Sequence, residues 1–255
     1  MAQKKVNAVI HSQEKLAEGI YSMWLDAPEM AKAAVPGQFI AVYTNDQSKL
    51  LPRPISICEA DKENGRLRIV YRIAGAGTKE FSAYKEGDTL DIMGPLGNGF
   101  PLKKKKAFLI GGGIGIPPML ELAKNLDCEK TAVIGYRDKE TFLADELRKY
   151  ADVVIATEDG SVGTKGNVID AIRAEKLTAD IIYACGPTPM LKALKAYAME
   201  NGIECYISLE EKMACGVGAC LACVCKSKEV DGHSHVHNKR ICKDGPVFKA
   251  EEVEL

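Results

Sequence analysis

The chain has 255 residues, 46% hydrophobic and 27% charged, and its 34 Lys and Arg against 35 Asp and Glu leave a net charge of −1. That balance gives no electrostatic basis for binding nucleic acid or an anionic membrane, and the composition is that of an ordinary globular protein. The longest apolar stretch, 107–122, is broken by four glycines and two prolines, and the opening MAQKKVNAVIHSQ has no apolar h-region, so neither a membrane span nor a secretory signal is expected and the chain reads as cytoplasmic.

Residues 1–101 read as short strands. Segments 6–11, 20–26, 38–43, 55–59, 66–73 and 89–93 are rich in β-branched or aromatic residues. Pro28, Pro36-Gly37, Gly65, Gly87 and Gly94-Pro95 punctuate them. Six strands at this spacing predict an antiparallel barrel or sandwich. The four lysines 103–106 read as a solvated linker turn. Strand and helix then alternate over 102–208: strands at 107–110, 131–136, 153–157, 181–185 and 203–208, with helices at 117–125, 139–150, 167–174 and 187–200. Buried strands alternating with helices predict a doubly wound parallel sheet, which binds ligands at the carboxyl ends of its strands. The last segment, 209–255, has little periodicity and holds five cysteines and three histidines. A unit this small needs a staple such as a metal centre. The chain is therefore expected to be an α+β multidomain protein: a six-stranded antiparallel barrel or sandwich (1–101), a doubly wound α/β domain (102–208) and a small metal-binding domain (209–255).

Four places carry chemistry. The strand at 107–110 runs into Gly111-Gly112-Gly113-Ile114-Gly115-Ile116-Pro117-Pro118. Glycines allow close approach of a ligand to the backbone, and the helix start beyond them is expected to offer N–H groups to a pyrophosphate. The turn is neither the G-x-G-x-x-G fingerprint nor a Walker P-loop. The strand at 181–185 ends in a similar mouth, Cys185-Gly186-Pro187, where Cys185 also fits a buried core thiol. In the first domain, Arg53-Pro54-Ile55-Ser56 sets an Arg and a Ser, both able to hold a phosphate, on a proline-stiffened strand. Val70-Tyr71-Arg72 precedes Gly77-Thr78, with Thr78 expected as the N-cap of a helix over 79–84. Tyr71 fits either stacking on a flat ring or a core position.

These motifs, in the order Pro36-Gly37-Gln38-Phe39, Arg53-Pro54-Ile55-Ser56, Gly77-Thr78, Gly94-Pro95-Leu96-Gly97, Gly111–Gly115 and Cys185-Gly186-Pro187, resemble the ferredoxin-NADP reductase superfamily. The resemblance implies a flavin-binding barrel followed by a nicotinamide-binding domain. It assigns Arg53, Pro54, Ile55 and Ser56 to the FAD phosphate and flavin, Val70, Tyr71 and Arg72 to the flavin, and Gly77 and Thr78 to its pyrophosphate. It assigns Gly111, Gly112, Gly113 and Gly115 to the NAD(P) pyrophosphate, with Cys185 and Gly186 near the nicotinamide.

Five of the nine cysteines stand at 215, 220, 223, 225 and 242. Clustering without an export signal favours metal over disulfides. Cys215-x4-Cys220-x2-Cys223 with a distant fourth Cys is the plant-type [2Fe–2S] spacing, in which Gly216 and Gly218 let the loop turn tightly. The fourth ligand is Cys225 or Cys242; Cys225 lies on the same face as Cys223 if that segment is extended, whereas Cys242 closes a longer loop. A four-cysteine zinc site fits less well, because zinc usually takes C-x2-C pairs. His233, His235 and His237 complete no recognised metal site and read as an exposed loop or hairpin tip.

The full chain, including Leu209-Glu210-Glu211-Lys212-Met213-Ala214-Cys215-Gly216-Val217-Gly218-Ala219-Cys220 and Cys242-Lys243-Asp244-Gly245-Pro246-Val247-Phe248, resembles the electron-transfer subunits of class 1B dihydroorotate dehydrogenases. The resemblance implies Cys215, Cys220, Cys223 and Cys242 as cluster ligands, FAD and a [2Fe–2S] cluster as cofactors, and NAD as substrate. It also implies a partner, the FMN-containing catalytic subunit that oxidises dihydroorotate in de novo pyrimidine (UMP) biosynthesis, in a heterotetramer of two of each. The His-bearing stretch before Cys242 is longer than the family's usual loop. Rival readings are the small subunit of a sulfide dehydrogenase or bifurcating NADH-ferredoxin:NADP oxidoreductase, relatives that tend to carry Asp where this chain has Cys215, and a stand-alone NADH-dependent reductase. A reading of another class is a nucleotide-sensing protein with a structural zinc tail. Arg137 and Asp138, after the strand at 131–136, point to NADP and NAD respectively; the resemblance implies NAD.

Overall fold

The structure is a computed structural model, described here for residues 5–46, 48–232 and 235–255. Six antiparallel strands close a barrel in the order β1-β2-β5-β4-β3-β6. They are β1 (Lys5–Ala17), β2 (Ile20–Asp26), β3 (Phe39–Val42), β4 (Arg53–Asp61), β5 (Arg66–Arg72) and β6 (Thr89–Leu96). Helix α1 (Pro28–Ala33) follows β2 and α2 (Ala76–Phe81) follows β5. Strand alternation puts every second residue inside. Ile10, Met23, Leu25, Ile57, Leu67, Ile69 and Ile92 are fully shielded and pack with Phe81 of α2 as one core.

The second sheet has the order β10-β9-β8-β7-β11-β12-β15. Five of its parallel strands match the expected ones: β7 (Ala107–Gly112), β8 (Lys130–Tyr136), β9 (Asp152–Thr157), β11 (Ile181–Cys185) and β12 (Glu204–Ser208). A two-residue strand, β10 (Thr164–Lys165), extends one edge. Helices α3 (Pro117–Asn125), α4 (Ala144–Leu147), α5 (Val168–Ala174) and α6 (Thr188–Asn201) connect them. Both faces of the sheet are covered: Phe108, Ile110, Ile182 and Ala184 join one core cluster, while Ala107, Leu109, Ile181 and Tyr183 join another. The helix expected over 139–150 shrinks to α4, because Tyr136 Oη bonds the Phe142 carbonyl and Leu143 adopts φ 65°, outside the right-handed helix.

The tail forms a small hairpin, β13 (Val224–Lys226) with β14 (Asn238–Arg240), and then returns. Its last strand, β15 (Val247–Lys249), adds antiparallel to β12. The boundary expected at 208/209 is therefore crossed by the sheet itself. Cys223, Ile241, Cys242 and Phe248 share a core cluster with Phe39 and Leu96 of the barrel and Ile182 of the sheet. The barrel and the sheet are also joined by Arg68, 4% exposed, whose Nη1 and Nη2 donate to Glu146 at 2.5 and 3.1 Å. The four lysines 103–106 are solvated as expected and pair with Glu204, Asp127 and Glu129. Among the described residues, no helix is long and apolar enough to cross a membrane.

Candidate functional site

A cavity of about 500 Å³ opens where the barrel, the sheet edge and the tail meet. One wall is β4 and β5: Arg53, Pro54, Ile55, Ser56, Val70, Tyr71 and Arg72 line it, and so does Thr78. Alternation sorts these side chains. Ile55 and Tyr71 belong to the barrel core, whereas Arg72 is exposed and Val70 packs with the second-domain cluster. The Tyr71 ring is 2% exposed, stacks on Tyr21 at 5.9 Å and donates its hydroxyl to Gln13 Oε1 at 2.8 Å. Of the two positions open to it in the sequence, the structure gives it the core one, at the edge of the cavity.

Arg53 reaches over α2. Its Nη1 donates to the Leu51 carbonyl at 2.6 Å and lies 3.4 Å from Thr44 Oγ1. Gly77 does not line the cavity; it lies beneath the guanidinium, where a Cβ would come within 2.5 Å of Arg53 Nη2 and closer to Nε and Cζ. Thr78 differs from expectation. It is the third residue of α2, whose N-cap is Gly75, and its hydroxyl accepts from the amides of Ala74 and Gly75 at 2.8 and 3.2 Å. The helix begins earlier because Thr78 closes the turn from inside rather than from its end. Glu80 pins the neighbouring loop, accepting from the amides of Asn45 and Asp46 and from Lys49 Nζ at 2.8, 3.2 and 2.7 Å.

The glycine turn after β7 borders the same cavity through Ile114. Gly111 and Gly112 finish β7 and are buried; Gly113 and Ile114 are the accessible part of a short 3₁₀ turn. Gly115 is required by close approach: a Cβ there would overlap the Cys185 carbonyl and lie 2.6 Å from the Gly186 nitrogen. The two mouths on the sheet edge are thus in contact. The amide supply differs from the helix-start expectation. Pro117 and Pro118 have no N–H, the Ile116 amide bonds the Gly113 carbonyl, and the Met119 amide bonds the Ile116 carbonyl. The helix start over 116–119 therefore leaves no free amide for an anion. Cys185 is fully buried, and burial pushes its thiol far up, opposed by a hydrogen bond with Ser208.

The opposite wall was not anticipated. Ser208, Leu209, Glu210, Glu211, Lys212 and Met213 leave the end of β12 and line the cavity, joined by Pro246. The Leu209 amide donates to the Pro246 carbonyl at 2.9 Å. Glu210 stands at the cavity's solvent edge, yet crowding by protein raises its carboxyl pKa against the pull of Arg72.

This wall leads into the cysteine loop. The amides of Val217 and Ala219 point at Cys215 Sγ, at 3.4 and 3.3 Å. The Gly218 amide points at Cys242 Sγ at 3.1 Å, and the Cys242 amide at Cys223 Sγ at 3.4 Å. Gly216 and Gly218, at φ 69° and 82°, give the loop its tight turns. Partial burial raises the Cys215 thiol, but hydrogen bonds from the Val217 and Cys220 amides, the Cys220 thiol and the Ala219 amide outweigh it and bring it to about 6. Burial, then the neighbouring Cys223, push Cys242 up to about 12. Among the described residues, no three His, Cys, Asp or Glu side chains gather around one metal-ion position. The thiols instead lie as two neighbouring pairs, Cys215 beside Cys220 and Cys223 beside Cys242. Two thiolates on each of two irons is what a [2Fe–2S] unit asks for, and amides aimed at sulfur suit its negative charge. Cys225 sits on β13 opposite Lys239, packs into the core and is raised to about 11 by burial. His235 and His237 are exposed beside the hairpin; His233 lies outside the described residues.

Residues 210–254 match the model of the iron-sulfur cluster binding domain of dihydroorotate dehydrogenase B, and residues 7–100 match the oxidoreductase FAD-binding domain. The dihydroorotate dehydrogenase B (NAD(+)) electron transfer subunit of Bacillus velezensis is 43% identical, over 99% of this chain and 100% of that protein. Its counterpart in Caldanaerobacter subterraneus subsp. tengcongensis is 43% identical over 98% of each. The structure of an NADH-dependent reduced ferredoxin-NADP oxidoreductase superposes with a TM-score of 0.87 at 32% identity, over 100% of this chain and 91% of that one. A flavohemoglobin from Malassezia yamatoensis, 21% identical with a TM-score of 0.64 over 78% of this chain and 57% of its own, shares the fold.

Proposed function

Because this chain belongs to the family of dihydroorotate dehydrogenase B (NAD(+)) electron transfer subunits, we propose that it joins NAD(H) to the FMN of a dihydroorotate dehydrogenase catalytic subunit through its own FAD and [2Fe–2S] cluster. It is an oxidoreductase subunit that serves electron transfer. FAD, when bound, exchanges two electrons with NAD(H) and passes them singly to a cluster that carries one.

The observation that carries the reading is the continuity of the cavity wall with the cysteine loop. Met213 lines the cavity, and Cys215 follows two residues later. Pro246 lines it too, and Cys242 precedes it by four residues. At most about 3.6 Å per residue separates Cα atoms along a chain, so the first of these links spans no more than about 7 Å. A flavin in the cavity and a cluster in the loop would be close neighbours.

In this proposal Arg53 holds the FAD pyrophosphate with Thr78, over a floor that Gly77 keeps clear. Pro54, Ile55, Ser56, Val70, Tyr71 and Arg72 shape the flavin seat through backbone and side chains. Gly111, Gly112, Gly113 and Gly115, with Cys185 and Gly186, form the mouth that brings the nicotinamide over the flavin. Cys215, Cys220, Cys223 and Cys242 hold the cluster as two pairs. The partner is the FMN-containing catalytic subunit, two copies of each chain forming the complex in the cytoplasm.

A second reading, the small subunit of a bifurcating oxidoreductase, is favoured by the TM-score of 0.87 alone. Cys215 argues against it, since those relatives tend to carry Asp there. The test is reconstitution: dihydroorotate should reduce NAD+ only when this chain is mixed with the catalytic subunit. Equal NADH oxidation with soluble acceptors in the absence and presence of that subunit, and no dihydroorotate-driven NADH formation, refutes the proposal.

A further inference from the structure

Arg240 ends β14, two residues before Cys242, and is 7% exposed. A guanidinium this deep keeps its charge only if it is well partnered. Nε and Nη2 donate to the two carboxylate oxygens of Asp244 at 3.0 and 3.2 Å, and Asp231 lies 3.7 Å from Nη2. The remaining arm, Nη1, donates to the Gly218 carbonyl at 3.3 Å.

That last bond has a particular target. The Gly218 carbonyl and the Ala219 N–H belong to one peptide unit, and this N–H points at Cys215 Sγ, 3.3 Å away. The amide on the other side of Gly218 points at Cys242 Sγ, 3.1 Å away. Arg240 thus grips the backbone between donors to both thiol pairs. Its own carbonyl accepts the amides of Lys243 and Asp244, and its own amide donates to Asp244 Oδ2 at 2.8 Å, which fixes the turn holding Cys242.

Resting on the reading of this loop as the cluster site, we propose that Arg240 is a positioning residue that sets the cluster's reduction potential through the Gly218–Ala219 peptide. A cation on the carbonyl oxygen polarises the peptide and makes its N–H a stronger donor. Reduction adds one electron and makes the sulfurs more negative, so a stronger donor favours the reduced state. Asp244 balances most of the guanidinium's long-range field, which leaves the peptide as the main route. Arg's rigid fork matters, because Lys cannot hold Asp244 bidentately and reach Gly218 at once.

The test is an EPR-monitored redox titration of the full chain loaded with FAD and cluster. Arg240→Gln should lower the midpoint by about 59 mV, a tenfold loss in the one-electron reduction equilibrium. The flavin midpoint should stay in place and the cluster g values should change. Arg240→Lys should fall between. Asp244→Asn should shift the midpoint the opposite way, upward, because the guanidinium then acts without its counter-charge. If Arg240→Gln fails to load iron, the signs from Arg240→Lys and Asp244→Asn decide. A loaded Arg240 variant with the unmodified midpoint, or Lys and Asn variants shifting in the same direction, overturns the proposal alone. An unmodified chain with no iron and no EPR signal refutes the functional reading, and this proposal with it.

Discussion

Replacing Gly77 with Ala separates cofactor binding from folding. The added Cβ would sit within 2.5 Å of Arg53 Nη2 and closer still to Nε and Cζ. Ordinary contact begins at 3.4 Å, so the guanidinium must retreat by about 1 Å or more. The obstacle is the far end of a flexible side chain, so relief is cheap for the fold. Ala also suits a helix better than Gly, by about 0.5 kcal/mol, and the melting temperature of the flavin-free chain should hardly change. A retreat of about 1 Å, however, stretches a hydrogen bond from Arg53 to an FAD phosphate past useful length. Hydrogen bonds to charged groups are worth about 1.5–3 kcal/mol, which converts to FAD binding weaker by about 10- to 150-fold. Titrating the flavin-free protein with FAD by fluorescence quenching gives the comparison, with Arg53→Ala as reference. Gly77→Ala that binds FAD as tightly as the unmodified chain, with Arg53→Ala weakened, refutes the role given to Gly77. If Arg53→Ala also binds normally, the phosphate assignment fails.

Cys225→Ala should retain two irons per chain and the cluster's EPR signal, at a stability cost of about 1 kcal/mol for the lost core contact. Cys242→Ala should lose the cluster; iron and sulfide analysis of both proteins distinguishes the two cysteines. Glu80 is half-buried, which raises its carboxyl, but Lys49, Tyr84 and the amides of Asp46 and Asn45 outweigh that and hold it near 2. Its folded pKa lies below the unfolded value, so its stabilisation is full above about pH 4.3 and is lost as the pH falls toward 2. Glu80→Gln should therefore cost about 1–2 kcal/mol at pH 7, after allowance for solvent screening, and the gap in urea unfolding should close below pH 3.

Much of this arrangement is legible in the amino-acid order, for physical reasons that differ by region. The barrel strands show because alternation is strong and Gly and Pro mark their ends. The cavity-lining residues Arg53, Ser56 and Thr78 show because they are polar groups in fixed local motifs. The opposite wall, Ser208 to Met213, carries no local pattern that marks it as lining a cavity. Residues 209–213 enter the family resemblance, but the signal for their place in the fold is that they follow the last parallel strand, at the sheet edge where ligands bind. The return of Val247–Lys249 to the sheet is hidden for a similar reason: three residues carry too little pattern to reveal a non-local pairing. The helix start after the glycine turn misled for a chemical reason, since prolines 117 and 118 remove the amides that usually make such a site. Spacing alone does not separate Cys225 from Cys242: both pack in one core cluster, but the Gly218 amide is aimed at Cys242 Sγ, whereas Cys225 sits on β13 opposite Lys239.

The continuity between the cavity wall and the cysteine loop is tested most directly by anaerobic reduction of the purified chain with NADH, followed by optical and EPR spectra on the same samples. The account predicts bleaching of bound FAD and the appearance of a reduced [2Fe–2S] signal, both from NADH alone, with the cluster signal lost once the FAD has been stripped and regained when it is restored. Flavin bleaching with a cluster that stays oxidised at potentials where dithionite reduces it, or cluster reduction by NADH in the FAD-free chain, would contradict it.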